Sequence, residues 1–303
     1  MNVGLGKCWL IGGTSDSAAI ARQLSSLALP YVVTVATLSA RELYPDTAHV
    51  EVGKLSPQLA KSFIRRHRVS CIADASHPFA REISEEAIAL SQASNIPYLR
   101  YERPTVDGQL SSTQPTASSP KLDSLKLFDA RLSDSNPSDS NPSDSNLSDA
   151  SEIITLVDSI DALVNSSLLK RQRVLFTIGY RHLGKFTDLR ETSTLYARVL
   201  PSLEAIAGAF SAGFTASEII ALRPPISLAL EVALWQQWRI SCVVAKASGQ
   251  LVTADSGEQI KRQAAKALGV RLVIISRPTV FYPLKTEHLT EVVSFCQKYL
   301  AFT

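Results

Sequence analysis

Short apolar runs alternate with amphipathic stretches along most of this 303-residue chain. In the first third, the runs at 7–11, 31–37, 48–52, 70–74 and 97–101 have the length and composition of buried strands. Between them, 17–27, 56–67 and 80–94 repeat apolar residues three and four apart, the spacing of one helix face. Ser56 followed by Pro57 is a good start for the second of these, a capping hydroxyl and then a proline where a missing N–H costs nothing. After residue 150 the alternation resumes. Strands are predicted near 173–178, 194–200, 217–222, 241–245 and 271–275, and helices near 157–169, 202–212, 226–236, 257–268 and 286–300. Such alternation implies parallel sheets with helices on both faces. The expected fold is therefore α/β: two doubly wound, Rossmann-like domains with parallel sheets and a cleft between them, at 1–106 and 151–303. The pattern does not fix which sheet receives 286–300.

The segment 107–150 breaks the pattern. Its end carries a five-residue repeat, Ser133-Asp-Ser-Asn-Pro137, Ser138-Asp-Ser-Asn-Pro142 and Ser143-Asp-Ser-Asn-Leu147. With few apolar side chains it cannot offset its ordering entropy, so it is predicted to be a disordered insertion. A calcium loop of the EF-hand type needs a glycine and a distal glutamate, and the repeat has neither.

Composition narrows the field. Hydrophobic residues make up 45% and charged residues 19%, the balance of a globular protein, and the net charge is +3. Because the insertion is acidic, the positive excess sits on the rest of the chain. No basic run interleaved with aromatics occurs, so nucleic acid is not an expected partner. No signal peptide or membrane-spanning run is visible, and a cytoplasmic location is expected. The four cysteines lack metal-ligand spacing and read as reduced and buried; no metal ligands are assigned.

Chemistry is expected where strands end, because ligands of open α/β sheets bind outside the carboxyl ends of the strands. The first exit is Gly12-Gly-Thr-Ser15, a glycine turn before a helix. Glycines admit a phosphate close to the backbone, and the helix start offers N–H groups and a positive dipole end. Gly12, Gly13, Thr14 and Ser15 are therefore candidate cofactor-binding residues, although the three-glycine dinucleotide fingerprint is incomplete. After the second strand stand Ser39 and Arg41. An acidic residue there suits the ribose hydroxyls of NAD, whereas arginine suits a 2′-phosphate, so NADPH is expected ahead of NADH. Asp74-Ala-Ser-His-Pro-Phe-Ala80 follows another strand. Asp74 is a candidate for the ribose or for a helix cap, and His77 for the cleft. Arg103, Arg181, Arg198, Lys246 and Ser248 sit at further exits as candidate anion-binding groups. Covalent hydrolysis is unsupported, since neither a G-x-S-x-G elbow nor H-E-x-x-H occurs.

Taken together, Leu10-Ile-Gly-Gly-Thr-Ser15, Asp74-Ala-Ser-His-Pro-Phe-Ala80, Ile96-Pro-Tyr-Leu-Arg-Tyr-Glu-Arg-Pro104, Lys246-Ala-Ser-Gly249 and Ile275-Ser-Arg-Pro278 resemble the precorrin-6A and cobalt-precorrin-6A reductases of cobalamin biosynthesis. The resemblance spans both halves and leaves out only the insertion. It implies hydride transfer from a reduced nicotinamide to one double bond of an anionic tetrapyrrole. It also implies neighbouring corrin-pathway enzymes as candidate partners. On this resemblance the glycine turn holds phosphate, Arg41 meets the 2′-phosphate, and His77 and Lys246 line the cleft as candidate catalytic groups. The competing expectation is a non-catalytic nucleotide- or tetrapyrrole-binding module.

Overall fold

The computed structural model describes residues 6–105, 153–249 and 256–300. The predicted insertion at 107–150 lies outside the described residues. The first half alternates β1 (Lys7–Ile11), α1 (Ser15–Ser26), β2 (Tyr31–Val35), α2 (Leu38–Arg41), β3 (Val50–Val52), α3 (Pro57–His67), β4 (Val69–Asp74), α4 (Arg81–Ser94) and β5 (Tyr98–Tyr101). The second runs β6 (Ile154–Val157), α5 (Ile160–Val164), β7 (Arg173–Phe176), β8 (Thr194–Val199), α6 (Leu203–Ser211), β9 (Ile219–Ala221), α7 (Leu228–Gln237), β10 (Cys242–Lys246), α8 (Gly257–Leu268) and β11 (Arg271–Ile275). A 3-10 segment at Tyr180–Glu191 links β7 to β8. The chain closes with β12 (Lys285–Thr286) and α9 (Leu289–Leu300).

The strands form two six-stranded sheets, ordered β12-β5-β4-β1-β2-β3 and β6-β11-β10-β7-β8-β9. Every described pairing is parallel. Parallel strands covered on both faces are apolar throughout rather than alternating. In β1, Cys8, Leu10 and Ala18 of α1 belong to one core, while Trp9 and Ile11 belong to the core on the opposite face with Phe63 and Ile72. The buried Trp9 indole is satisfied by donating to Thr34 Oγ1 at 2.8 Å, which removes the cost of enclosing its N–H.

Two elements differ from expectation. The stretch 157–169 is not one helix: β6 ends at Val157, Ser159 caps α5 by accepting from the Ala162 amide, and α5 stops at Val164. The apolar run before it pairs with β11 at the sheet edge. The second unit also does not extend to the C-terminus. Residues 285–300 return to the first sheet, where β12 covers the edge of β5 through Arg100 N to Leu284 O and Glu102 N to Thr286 O, both 2.9 Å. Helix α9 then packs Val292, Phe295 and Cys296 into the first core. An uncovered parallel edge strand is a pairing hazard, and the returning chain removes it. Among the described residues, no helix is long and apolar enough to cross a membrane.

Candidate active site

In the first sheet the strand order reverses between β1 and β4, the switch point at which a crevice opens above the strand ends. A cavity lies there, lined by the β1 turn (Gly13 to Asp16), the β4 exit (Ala75 to Pro78), the β5 exit (Arg100 to Arg103) and Ser248. Three strand exits of one half and a loop of the other thus meet at one place.

The β1 turn is built by local rules. Gly13 has φ +100, a conformation that favours glycine. Gly12 is needed for a different reason: a Cβ there would run into the Tyr44 hydroxyl and Val33. Tyr44 sits behind the turn, accepting from the Gly13 amide at 2.9 Å and sharing a 2.5 Å hydrogen bond with Ser17. Thr14 caps α1 by accepting from the Ser17 amide at 3.0 Å, and its hydroxyl donates to Ala75 O at 2.8 Å, tying the turn to the β4 exit. The cap satisfies Ser17 and leaves the first-turn amides of Ser15 and Asp16 at the cavity wall. Free first-turn amides and a left-handed glycine fit an anionic phosphate. Beside them, Ala40 of α2 lies 3.8 Å from where a Gly13 Cβ would be, so α2 abuts the turn. Ser39 and Arg41 ride on α2; Arg41 donates to Tyr44 O at 3.0 Å and meets Asp46 at 3.6 Å. Neither residue lines the described cavity.

Asp74 departs from its expected role. Its carboxylate is fully buried and engaged on both oxygens. Oδ1 accepts from Ser76 N (3.0 Å) and Arg100 Nη1 (2.9 Å), and Oδ2 from Ser84 (2.6 Å) and Tyr98 (2.7 Å). With its oxygens occupied it is a poor partner for a ribose, and it holds Arg100 in place instead. Nor does Asp74 cap α4, whose N-cap is Ala80. Arg100 is equally buried, with Tyr282 packed over its guanidinium at 5.2 Å. Its Nε and Nη2 have no hydrogen-bond partner. An under-satisfied guanidinium at a cavity wall draws an anion through a poorly screened medium.

His77 opens onto the cleft. Its Nδ1 accepts from the Phe79 amide at 3.2 Å, which leaves Nε2 as the N–H end. Its side chain is exposed at the cleft wall, where desolvation by the surrounding protein, and then the charges of Lys246, Arg100, Arg103 and Arg277, push its pKa down to about 4. At neutral pH it is an uncharged hydrogen-bond donor. Lys246, at the end of β10, stands over the Phe79 ring at 4.9 Å. Burial, and then the Arg181 charge, bring its pKa down to about 8. Arg181 is itself exposed, 3.9 Å from Glu204. Arg103 ion-pairs with Asp16 at 2.6 Å.

The turn after β10 is fixed by Glu258 of α8, whose Oε2 accepts from the amides of Ser248 (2.8 Å) and Gly249 (3.2 Å). Gly249 has φ +77, and a Cβ there would strike Arg277 Nη2 and lie 2.5 Å from Pro104 O. Arg277 reaches from the second half to donate to Arg103 O at 2.7 Å, with Glu102 at 3.3 Å. This close approach joins the halves. Arg198, by contrast, is turned away. It shares a sheet face with Tyr196, and its Nη1 bonds Glu231 of α7 at 2.8 Å.

Sequence reasoning thus missed Arg100, Arg277 and Tyr44. A lone arginine inside the buried run Tyr98–Tyr101 was a readable signal for the first, and Arg277 stood in a noted motif. Tyr44, in the segment after α2, carried none.

The chain is a two-half, doubly wound α/β protein with a cation-rich cleft at the switch point of its first sheet. A family profile described as Precorrin-6x reductase CbiJ/CobK matches residues 7–126 and 141–297. A cobalt-precorrin-6A reductase of Synechocystis sp. is 39% identical over 98% of both chains. Reductases of the same name from Salmonella typhimurium and Priestia megaterium are 31% and 30% identical, over 97% and 94% of this chain and 95% of each relative. A solved structure titled CobK precorrin-6A reductase shares the fold at TM-score 0.69 and 20% identity, over 97% of each chain. The chain belongs to the precorrin-6x reductase family, a family of oxidoreductases.

Proposed function

We propose that this protein reduces one double bond of a precorrin-6A macrocycle, with the cobalt-bound form the first candidate and NADPH preferred to NADH. The three relatives named above all bear the cobalt-precorrin name. The observation that carries the reading is the meeting of the β1 glycine turn with the Lys246–Gly249 turn at one cavity, since a reductase must bring cofactor and substrate together.

Gly13, Thr14, Ser15 and the start of α1 hold the cofactor phosphates. Ser39 and Arg41 on the adjoining α2 receive the 2′-phosphate, for which a guanidinium fork is suited. Bound there, the reduced nicotinamide supplies the hydride. Arg103, Arg181, Lys246 and Ser248 face the carboxylate arms of the macrocycle, the buried Arg100 guanidinium adds positive charge behind them, and neutral His77 donates a hydrogen bond from Nε2. Addition of hydride to a conjugated ring calls for a proton as well. Lys246 provides it: with its pKa near 8 it is charged at neutral pH and gives up a proton at little cost.

The test is aerobic and anaerobic incubation with cobalt-precorrin-6A and reduced cofactor, followed by product mass. A product heavier by two hydrogens supports the reading. Tight binding of both ligands without turnover in any cofactor and metal combination contradicts it and leaves a binding module.

A further inference from the structure

Away from the cleft, His49, Glu51 and His67 converge at the opposite end of the first sheet. His49 and Glu51 flank the start of β3, the edge strand, and His67 is the last residue of α3. His67 Nε2 lies 2.7 Å from Glu51 Oε1, and His49 Nε2 lies 3.5 Å from that same oxygen. The two rings meet edge-on at 5.2 Å, and His67 is fixed against Phe63 at 4.5 Å. One ligand atom from each of the three residues lies within 4.8 Å of the others.

The hydrogen bonding of this cluster is overcommitted. His67 Nε2 accepts from Arg66 Nε at 3.1 Å while facing the Glu51 carboxylate at 2.7 Å. A single ring nitrogen cannot accept from one neighbour and donate to the other. Arg66 Nη2 also bonds both Glu51 oxygens, at 2.8 and 2.6 Å. The lone pairs of two imidazoles and a carboxylate are thus directed at one small region, and a guanidinium supplies the positive charge there. That guanidinium is replaceable, because the Arg66 side chain is 61% exposed.

We propose that His49, Glu51 and His67 form a binding site for a divalent transition ion of the zinc or cobalt class, which displaces Arg66. Two imidazoles and one carboxylate suit such ions, and the exposed His49 side leaves room for water to complete the coordination. The bound ion joins the edge strand to α3. The site stands apart from the redox cleft and does not depend on the proposed reaction.

The test is calorimetric titration of chelator-treated full-length protein with Zn2+, with Co2+ absorption as a second readout. One saturable site per chain is expected. His49→Ala, on an exposed ring, is expected to weaken it about 100-fold, a lost ligand counting at least as much as a lost outer-shell partner. Arg66→Met is expected to tighten it by removing the competing cation. Failure of both wild type and R66M to bind Zn2+ overturns the proposal. So does binding that survives H49A with a thiolate-to-cobalt charge-transfer band. That result would place the ion on Cys8, Cys71 and Cys296, whose thiols also converge within the core.

Discussion

Gly249→Ala tests how the two halves are joined at the cleft. The new methyl would strike Arg277 Nη2 and lie 2.5 Å from Pro104 O, while the backbone at φ +77 is one an alanine rarely adopts. The left-handed conformation costs about 1–2 kcal/mol for a residue with a Cβ. Backbone at Pro104 yields little, so Arg277 must move, and its 2.7 Å bond to Arg103 O is lost. A hydrogen bond from a charged group is worth about 1.5–3 kcal/mol. Together these give about 2.5–5 kcal/mol, some of which is relieved if the Lys246–Gly249 turn swings out of the cleft. Stability and substrate KM therefore both suffer, with KM rising more than kcat falls. The decisive form is a double-mutant cycle with Arg277→Ala, read by denaturant unfolding. If the clash is with Arg277, G249A costs less in the R277A background, by about the value of the lost bond. Strict additivity, or a G249A variant with wild-type stability and KM, refutes the close approach.

Other perturbations follow from the same geometry. Arg41→Ala is expected to weaken NADPH by about 10- to 100-fold, the worth of charge-assisted bonds to a 2′-phosphate, and NADH hardly at all; equal losses would remove Arg41 from phosphate recognition. Because Lys246 must be protonated to act as an acid, kcat is expected to fall as pH rises through about 8, and Lys246→Met to flatten that limb and lower the plateau. An unchanged profile in K246M would assign the proton to another source. Arg100→Met leaves Asp74 buried without its countercharge, which is expected to destabilise the protein by about 3–5 kcal/mol; a melting temperature equal to wild type would contradict the buried pair.

The sheets were legible because fully covered parallel strands are apolar from end to end. β1, β4, β10 and β11 match their predicted runs within a residue or two. The glycine turn and the lysine turn could be read because each places small residues at a strand exit, and both now line or abut one cavity. What escaped depends on the third dimension. Arg198 stands near a strand exit, but side-chain alternation puts it on the α7 face rather than at the cleft. Asp74 was read as a ribose contact or a helix cap, and its four donors, from the β4 exit, α4 and β5, are brought together only by the fold. The return of α9 to the first sheet brings Cys296 within 3.4 Å of Cys8, a proximity hidden by a sequence separation of 288. The His49, Glu51 and His67 cluster escaped for a similar reason, since α3 separates its members in sequence.

The central claim is that cofactor and macrocycle meet in this cleft for hydride transfer. The most direct measurement uses NADPH deuterated at the transferred position, with cobalt-precorrin-6A in ordinary water and the product analysed by mass. The account predicts one deuterium from the cofactor and one proton from the protein or solvent in each reduced macrocycle. A reduced product that carries no deuterium from either face of the labelled nicotinamide would contradict it.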